Sequence, residues 1–530
     1  YGHASVGCLH IRPVVSLKNQ DGVDKMMSIA DEISDLVKAF GGSLSGEHGD
    51  GIVRGVWNEK MFGPEIYKLF QDLKGTFDPN GIMNPNKIID CPPMDQNLRY
   101  GPDYGAPSLA TKLDFSIDTD FAGAVEMCNG MGACRQHVGT MCPSYVATRD
   151  EEHSTRGRAN LLRAALSGKL PEGTMTSKRL WEAMDLCLEC KGCKSECESG
   201  VDMAKLKYEF LDQYHRVNGT PFRNRVFGHI NRVSVWGSRM APISNLLASN
   251  PIGKMMSQVV LGIHPKRNPP KFVRQTFAKW FKKRKARNAQ ATETVILLND
   301  TYMNHNYPEI GKAAVALLEA AGLKVVLSET VCCGRPMISK GMLDDATANA
   351  ATNINQLYGY AEAGVPVIGC EPSCLLTFRD EYPQLVRDEK ARRVAENTYM
   401  IDEFLIKLHE DGNLAMNMSK LEKKVLFQAH CHQKAEMGTA TSLAALRLAP
   451  GYQVELINAG CCGMAGSFGY EKEHYDLSMK IGEEALFPAI RAKDEDWEVA
   501  VMGVSCRQQV EDGTGRKPRH LVEVLADALG

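Results

Sequence analysis

The sequence predicts a multidomain α/β protein, and three observations carry that expectation. Strand-like and helical segments alternate through two diverged copies between residues 293 and 530, the pattern of parallel sheets with helical crossovers. The middle of the chain is a compact, cysteine-dense helical stretch. The 530 residues suffice for three or four domains at about 150 residues each. Apolar residues make up 44% and charged residues 24%, which excludes global disorder, collagen and coiled-coil fibres.

There are 17 cysteines, most of them in tight clusters. A secreted disulfide framework is more often short and even-numbered, so metal or iron–sulfur ligands in a reducing compartment are expected. With no charged-then-apolar leader and no apolar run of about 18 residues, neither a signal peptide nor a membrane span is expected. The chain opens on Tyr1, inside a motif, as one piece of a longer protein would.

Residues 1–90 read as an α+β half-domain. YGHASVGCLHIRPVVSL suggests strand, glycine turn and strand. A helical pattern covers 24–40, and the glycine-dense loop GGSLSGEHGDGIVRG carries Glu47 and His48. A second helix is expected over 64–73, and FDPNGIMNPNKII reads as a turn and a short apolar strand. Two imidazoles and a carboxylate, from His3, His10 and Glu47, can hold one divalent metal and leave positions for substrate. Adjacent side chains diverge on extended backbone, so one of Glu47 and His48 can face the metal and the other the reacting atom. A surface loop with incidental histidines is the plainer alternative.

Residues 91–118 read as a linker and 119–215 as a helical domain. CLECKGCKSEC places Cys187, Cys190, Cys193 and Cys197 at gaps of two, two and three, a spacing specific for a 4Fe–4S region. In two-cluster ferredoxins the fourth cysteine of one run serves the other cluster, and Cys142 before Pro143 resembles such a position. One cluster would use Cys187, Cys190, Cys193 and Cys142. A second would use Cys128, Cys134 and Cys197, with Met131 in place of the missing cysteine. A thioether ligates iron poorly, so that site is 3Fe–4S, 4Fe–4S with an unusual ligand such as His137, or empty. Structural zinc is the minor alternative. Ser154 starts a helix as its cap, and Arg156 and Arg158 lie near anionic groups or are solvated helix charges.

The 216–290 segment is expected to connect domains. Residues 221–287 contain 15 Lys plus Arg and no Asp or Glu. A solvated linker on acidic faces ranks first. An amphipathic helix at a membrane surface, in KFVRQTFAKWFKKRK, ranks second, and an electrostatic collar for acidic partners is a further reading. No nucleic-acid-reading module is present, so no nucleic-acid partner is expected.

The two copies predict lobes at 291–415 and 416–530. Cys332–Cys333 and Cys461–Cys462, each followed by glycine, fall at predicted strand ends, where open α/β sheets collect ligands. Thr301–Tyr302 stands where copy one would have a leading cysteine, and Gln509 where copy two would have a last one. The best single site is therefore Cys431, Cys461, Cys462 and Cys506. Cys332, Cys333, Cys370 and Cys374 are a degenerate set or contribute across the interface. Inert buried thiols explain two such triplets poorly.

The motifs YGHASVGCLH, GEHGDG and FDPNGIMNPNK resemble the C-terminal substrate-domain portion of FAD-linked D-2-hydroxyacid dehydrogenases, of the vanillyl-alcohol-oxidase-type flavoprotein superfamily. The last half resembles the CCG domains of heterodisulfide reductase B-type subunits and of glycolate or glycerol-3-phosphate dehydrogenase iron–sulfur subunits. The whole order resembles the C-terminal half of bacterial fused FAD and iron–sulfur D-2-hydroxyacid dehydrogenases. The resemblance thus implies a partial α+β substrate domain of an FAD-linked oxidase, a helical two-cluster ferredoxin domain and two CCG-type α/β lobes.

It also implies roles. His3, His10 and Glu47 would bind a divalent metal, often zinc, that holds the hydroxyacid. His48 would take the hydroxyl proton as hydride leaves for the flavin, and Asn84 would lie near the flavin. The CCG cysteines would hold a cluster, sometimes noncubane, or shape the terminal acceptor site. The FAD-binding region would precede Tyr1 or belong to a partner flavoprotein. Ser5, Val6 and Cys8 depart from the commoner GHAGDGNLH form. The expected reaction is oxidation of a D-2-hydroxyacid, D-2-hydroxyglutarate ahead of D-lactate, with electrons relayed to an acceptor such as a quinone. The expected location is the cytoplasm or the inner membrane face. An electron-transfer subunit and a zinc-stabilised scaffold are the alternatives.

Overall fold

The computed structural model describes residues 2–46, 48–136, 139–288 and 290–529, without the side chains of Val6 and Cys8. The chain forms two compact units, one ending at Ala106 and one starting at Pro107.

In the first unit β1 (Gly2–His3) and β2 (Cys8–Leu9) pair antiparallel. A short turn of helix, Ala4–Val6, joins them, and Gly7 closes it at φ 60°, a conformation glycine adopts without steric cost. The helix Gln20–Ala39 begins earlier than apolar periodicity indicates, because Asn19 caps it by accepting the Gly22 N–H. Pro64 starts the helix Pro64–Phe77. The apolar stretch near residue 88 is not a strand. Asn84, Asn86, Ile88 and Asp90 all have positive φ, which no β ladder tolerates in succession.

The second unit begins with short helices around the cysteine loops, among them Pro143–Thr148, Thr155–Leu166, Gly192–Glu196 and Met203–Asn218. The basic stretch is not a solvated linker. It folds into the helices Phe222–Gly228, Ile230–Arg239, Ile243–Ser249, Pro251–Leu261 and Phe277–Lys283. The membrane reading of KFVRQTFAKWFKKRK is overturned by packing. Phe277 is fully buried, and Trp280 and Phe281 lie against the core of the first sheet. The Phe277 ring sits 2.6 Å from where a Cβ on Gly311 would stand.

Two four-stranded parallel sheets follow. The first has β3 (Thr294–Leu297), β4 (Lys324–Leu327), β5 (Val367–Gly369) and β6 (Thr398–Met400) in the order β4-β3-β5-β6. The second has β7 (Lys423–Gln428), β8 (Tyr452–Leu456), β9 (Trp497–Val501) and β10 (Arg519–His520) in the order β10-β9-β7-β8. Read in chain order these are one topology twice. Val295, Ile296 and Leu297 are buried on the central strand β3, as expected for a parallel strand covered on both faces. The lobes share a core in which Leu297, Ile368 and Leu405 join Phe427, Leu446 and Leu525. Each such side chain contributes about 1.5–3 kcal/mol by leaving water.

Candidate metal and iron–sulfur sites

The first unit gathers three histidines. His3 lies on β1 and His10 just beyond β2, and their ring centroids are 4.7 Å apart. The His48 ring lies 5.6 Å from that of His10. Gly49 and Gly51, at positive φ, turn the loop that presents His48. Glu47 lies outside the described residues, so the full three-ligand set is not seen. Asn84 has φ 46°, a left-handed conformation asparagine accepts more readily than most residues.

In the second unit, Cys142, Cys187, Cys190 and Cys193 line one cavity with about 310 Å³ of space free of protein atoms, part of it open to solvent. Backbone geometry makes them converge. Cys142 has φ 54° before Pro143, which is the first residue of its helix. Glu189 and Lys191 have φ 56° and 59°. A Cβ on Gly192 would stand 2.9 Å from the Thr140 carbonyl carbon, so only glycine lets the two cysteine loops meet. Glu196 clamps them by accepting the N–H groups of Thr140 and Met141 at 2.7 and 3.0 Å. The thiols also accept amide hydrogens. Thr155 N–H reaches Cys142 Sγ at 3.0 Å and Met203 N–H reaches Cys193 Sγ at 3.4 Å. Four thiols with amide donors form a donor set that fits an iron–sulfur cluster.

The second predicted set is less enclosed. Cys128 and Cys134 are buried, Cys197 is half-buried and Met131 is 55% exposed. His137 lies outside the described residues. The Cys134 thiol meets Cys142, and that contact holds its pKa down to about 6. Arg156 donates its amide to Cys134 Sγ at 3.4 Å and pairs with Glu151 at 2.7 Å. Arg158 is buried beside the first cavity, held by the carbonyls of Ala183 and His153.

In the second lobe, Cys431 starts the helix after β7, Cys461–Cys462 follow β8, and Cys506 lies in the helix after β9. All four sit at carboxyl ends of parallel strands. The Cys461 thiol meets Cys431 and Cys462, and Cys462 meets Cys506. Gly463 has φ 92°, and a Cβ there would stand 2.3 Å from the Ser478 carbonyl oxygen. Lys434 lies among these thiols, its ammonium donating to the Ala459 and Gly460 carbonyls. A cation beside four thiolates offsets their charge. Sequence reasoning missed it, although its place three residues after Cys431 was a signal.

The first lobe repeats the turn without the full set. Gly334 has φ 82°, and Cys333 meets Cys332 and Cys374. Buried Tyr302 fills the place of the leading cysteine beside these thiols. Cys370 does not join them. It stands where the second lobe has Met502, and the His520 ring nitrogen lies 3.1 Å from the Cys370 carbonyl and 2.9 Å from that of Met502. What crosses the interface is a carboxylate: Glu371 accepts the Val504 N–H at 2.9 Å, at the start of the Cys506 helix. Burial pushes the Glu371 carboxyl up to about 7.

The two cysteine centres of this unit are neighbours. Cys190, Cys431 and Cys461 share one buried group with Leu188, Phe468 and Ile481. His432 Nε2 lies 2.8 Å from the Glu189 carbonyl oxygen. Lys191, whose side chain is 1% exposed, pairs with Asp380 at 2.6 Å, Glu381 at 2.8 Å and Glu436 at 2.6 Å. Lys194 joins Asp380 and Arg335 joins Glu381, so three cations face three carboxylates.

Comparison with known proteins gives this arrangement a class. Residues 1–88 match FAD linked oxidases, C-terminal domain, residues 127–202 match the 4Fe-4S dicluster domain, and residues 301–379 match the cysteine-rich CCG domain. The D-2-hydroxyglutarate dehydrogenase of Pseudomonas putida is 29% identical over 99% of this chain and 55% of its own length. That of Escherichia coli is 26% identical over 100% of this chain and 56% of its own length. One subunit of the anaerobic glycerol-3-phosphate dehydrogenase of Escherichia coli is 31% identical over 58% of this chain and 77% of its own length. The chain spans about half the length of the D-2-hydroxyglutarate dehydrogenases it matches.

These domains and the gathered thiols define an iron–sulfur oxidoreductase. The chain belongs to the family of FAD-linked, iron–sulfur dehydrogenases that join an FAD-linked oxidase C-terminal domain to a 4Fe-4S dicluster domain and CCG domains.

Proposed function

We propose that this chain forms the substrate-holding and electron-relay part of a D-2-hydroxyacid dehydrogenase, with D-2-hydroxyglutarate the favoured substrate. The observation that carries the reading is the adjacency of two thiol sets, Cys142/Cys187/Cys190/Cys193 and Cys431/Cys461/Cys462/Cys506, across one buried apolar group. FAD, when bound, accepts hydride, and iron–sulfur clusters carry single electrons.

The residues of this chain do the rest. His3, His10 and Glu47 hold a divalent metal, zinc favoured, which orients the acid's carboxylate and hydroxyl. His48 takes the hydroxyl proton on an imidazole nitrogen. Asn84 lies by the flavin. Cys128, Cys134 and Cys197 serve a second cluster of the helical domain. The enzyme acts in the cytoplasm and hands its electrons to an acceptor such as a quinone.

Dye reduction by the full-length protein over a panel of D- and L-2-hydroxyacids tests this. The expected result is FAD-dependent turnover of D-2-hydroxyglutarate, strongly impaired by His48→Ala. Higher kcat/KM for D-lactate would move the substrate, and unchanged turnover in the variant would remove the base. A second reading is an electron-transfer module, favoured by the likeness of the cysteine-rich part to the glycerol-3-phosphate dehydrogenase relative. Co-purification with a separate flavoprotein that alone oxidises the acid would select it. Zinc without iron and sulfide would select a scaffold instead.

A further inference from the structure

The helices Ile243–Ser249 and Pro251–Leu261 contain no buried residue. Asn250 turns one into the other and caps the second by accepting the Gly253 N–H at 2.8 Å. The outer surface of this hairpin is apolar. Trp236, Ile243, Leu246, Ile252, Met255 and Val259 are 58–79% exposed. Lys254 is the single charged residue across both helices. Soluble proteins rarely leave so much contiguous apolar surface without a partner.

The surroundings are cationic. No Asp or Glu occurs from 221 to 287, and 11 of the 15 Lys and Arg there are exposed. Among the described residues, only Arg223, Arg267 and Arg284 of these pair with carboxylates. Arg239 lies over the Trp236 ring at 5.2 Å, a pairing of aromatic body and cationic head suited to a lipid–water boundary. No described helix is long and apolar enough to cross a membrane.

We infer that the 243–261 hairpin docks the protein on the surface of an anionic bilayer. Leu246, Ile252, Met255 and Val259 enter the headgroup boundary, and Arg232, Arg239 and Lys266 meet lipid phosphates. One partner then supplies both the apolar depth and the negative charge that this surface complements. The inference stands apart from the dehydrogenase reading, because it uses none of the site residues.

Co-sedimentation of the 530-residue, iron-loaded chain with phosphatidylcholine vesicles, with and without phosphatidylglycerol, tests it. The chain is expected to bind the phosphatidylglycerol vesicles, less so as salt rises. L246D/V259D, and the milder L246S/V259S, should weaken binding, the former more than about tenfold. R232E/R239E should weaken it as well. I117D, at an apolar residue 90% exposed elsewhere, should leave it unchanged. Absence of binding, or equal binding by all variants, overturns the inference. So does light scattering that shows the hairpin variants dissolving a dimer while vesicle binding stays the same, since a second copy then covers the face.

Discussion

Lys191 Nζ lies 2.6 Å from Glu436 Oε1. A residue between two cavity cysteines is thereby tied to the helix that Cys431 begins. The same ammonium reaches Asp380 and Glu381 of the first lobe. One buried cation therefore fixes the cysteine loop against both lobes.

Lys191→Met should be strongly destabilising. It leaves Asp380, Glu381 and Glu436 with Lys194 and Arg335 alone, and breaking a buried pair costs roughly 3–5 kcal/mol. Denaturant unfolding of the iron-loaded protein measures this. A change within about 0.5 kcal/mol would mean that the cluster of charges does not hold the loop.

Stability should fall on the alkaline side through His474. Burial alone lowers the pKa of this imidazole, but hydrogen bonds to Asp185 and Glu471, at 2.8 and 3.1 Å, raise it to about 9. A raised histidine pKa contributes stability that is fully present below about pH 6.5 and lost as pH rises through about 9. Unfolding free energy should therefore decline between those values, by about 3 kcal/mol at most. His474→Gln should flatten the slope. Glu471 is held well below the usual carboxylate range, despite its burial, by Lys340, His474 and Arg223. Its contribution is present above about pH 4.5 and lost as pH falls.

Gly463→Ala should empty the second-lobe site. The residue has φ 92° with Ser478 O 2.3 Å from the added Cβ, so the Cys461–Cys462 turn must move. Gly515→Ala, at φ 73° in open space, should cost only about 1 kcal/mol of strain and keep its iron. Iron and sulfide per chain separate the two variants.

The first lobe's cysteines should behave unequally. Cys370 stands off from its neighbours, so Cys370→Ser should leave iron content unchanged, whereas Cys506→Ser should lower it. Equal losses would contradict the placement of Cys370.

The sequence made some of this legible and hid the rest, for physical reasons. Repetition at Cys332–Cys333–Gly334 and Cys461–Cys462–Gly463 foretold two like lobes, because a glycine after paired cysteines marks a left-handed turn. Local spacing likewise exposed Cys187, Cys190 and Cys193, and Pro143 marked Cys142. The strand expected near Ile88 failed because successive positive φ values follow from turn contacts, such as Asp78 accepting the Ile82 and Met83 amides. Lys191, Lys434 and Glu371 went unnoticed because their partners are distant in sequence. The basic stretch was misread because charge composition does not report that Phe277 has a buried slot beside Gly311.

The most direct test of the account is iron and acid-labile sulfide in the anaerobically purified chain, compared with its Cys190→Ser variant. The account predicts that the variant loses about four iron and four sulfide, together with visible absorbance. Zinc in place of iron, or identical iron and sulfide in both proteins, would contradict it.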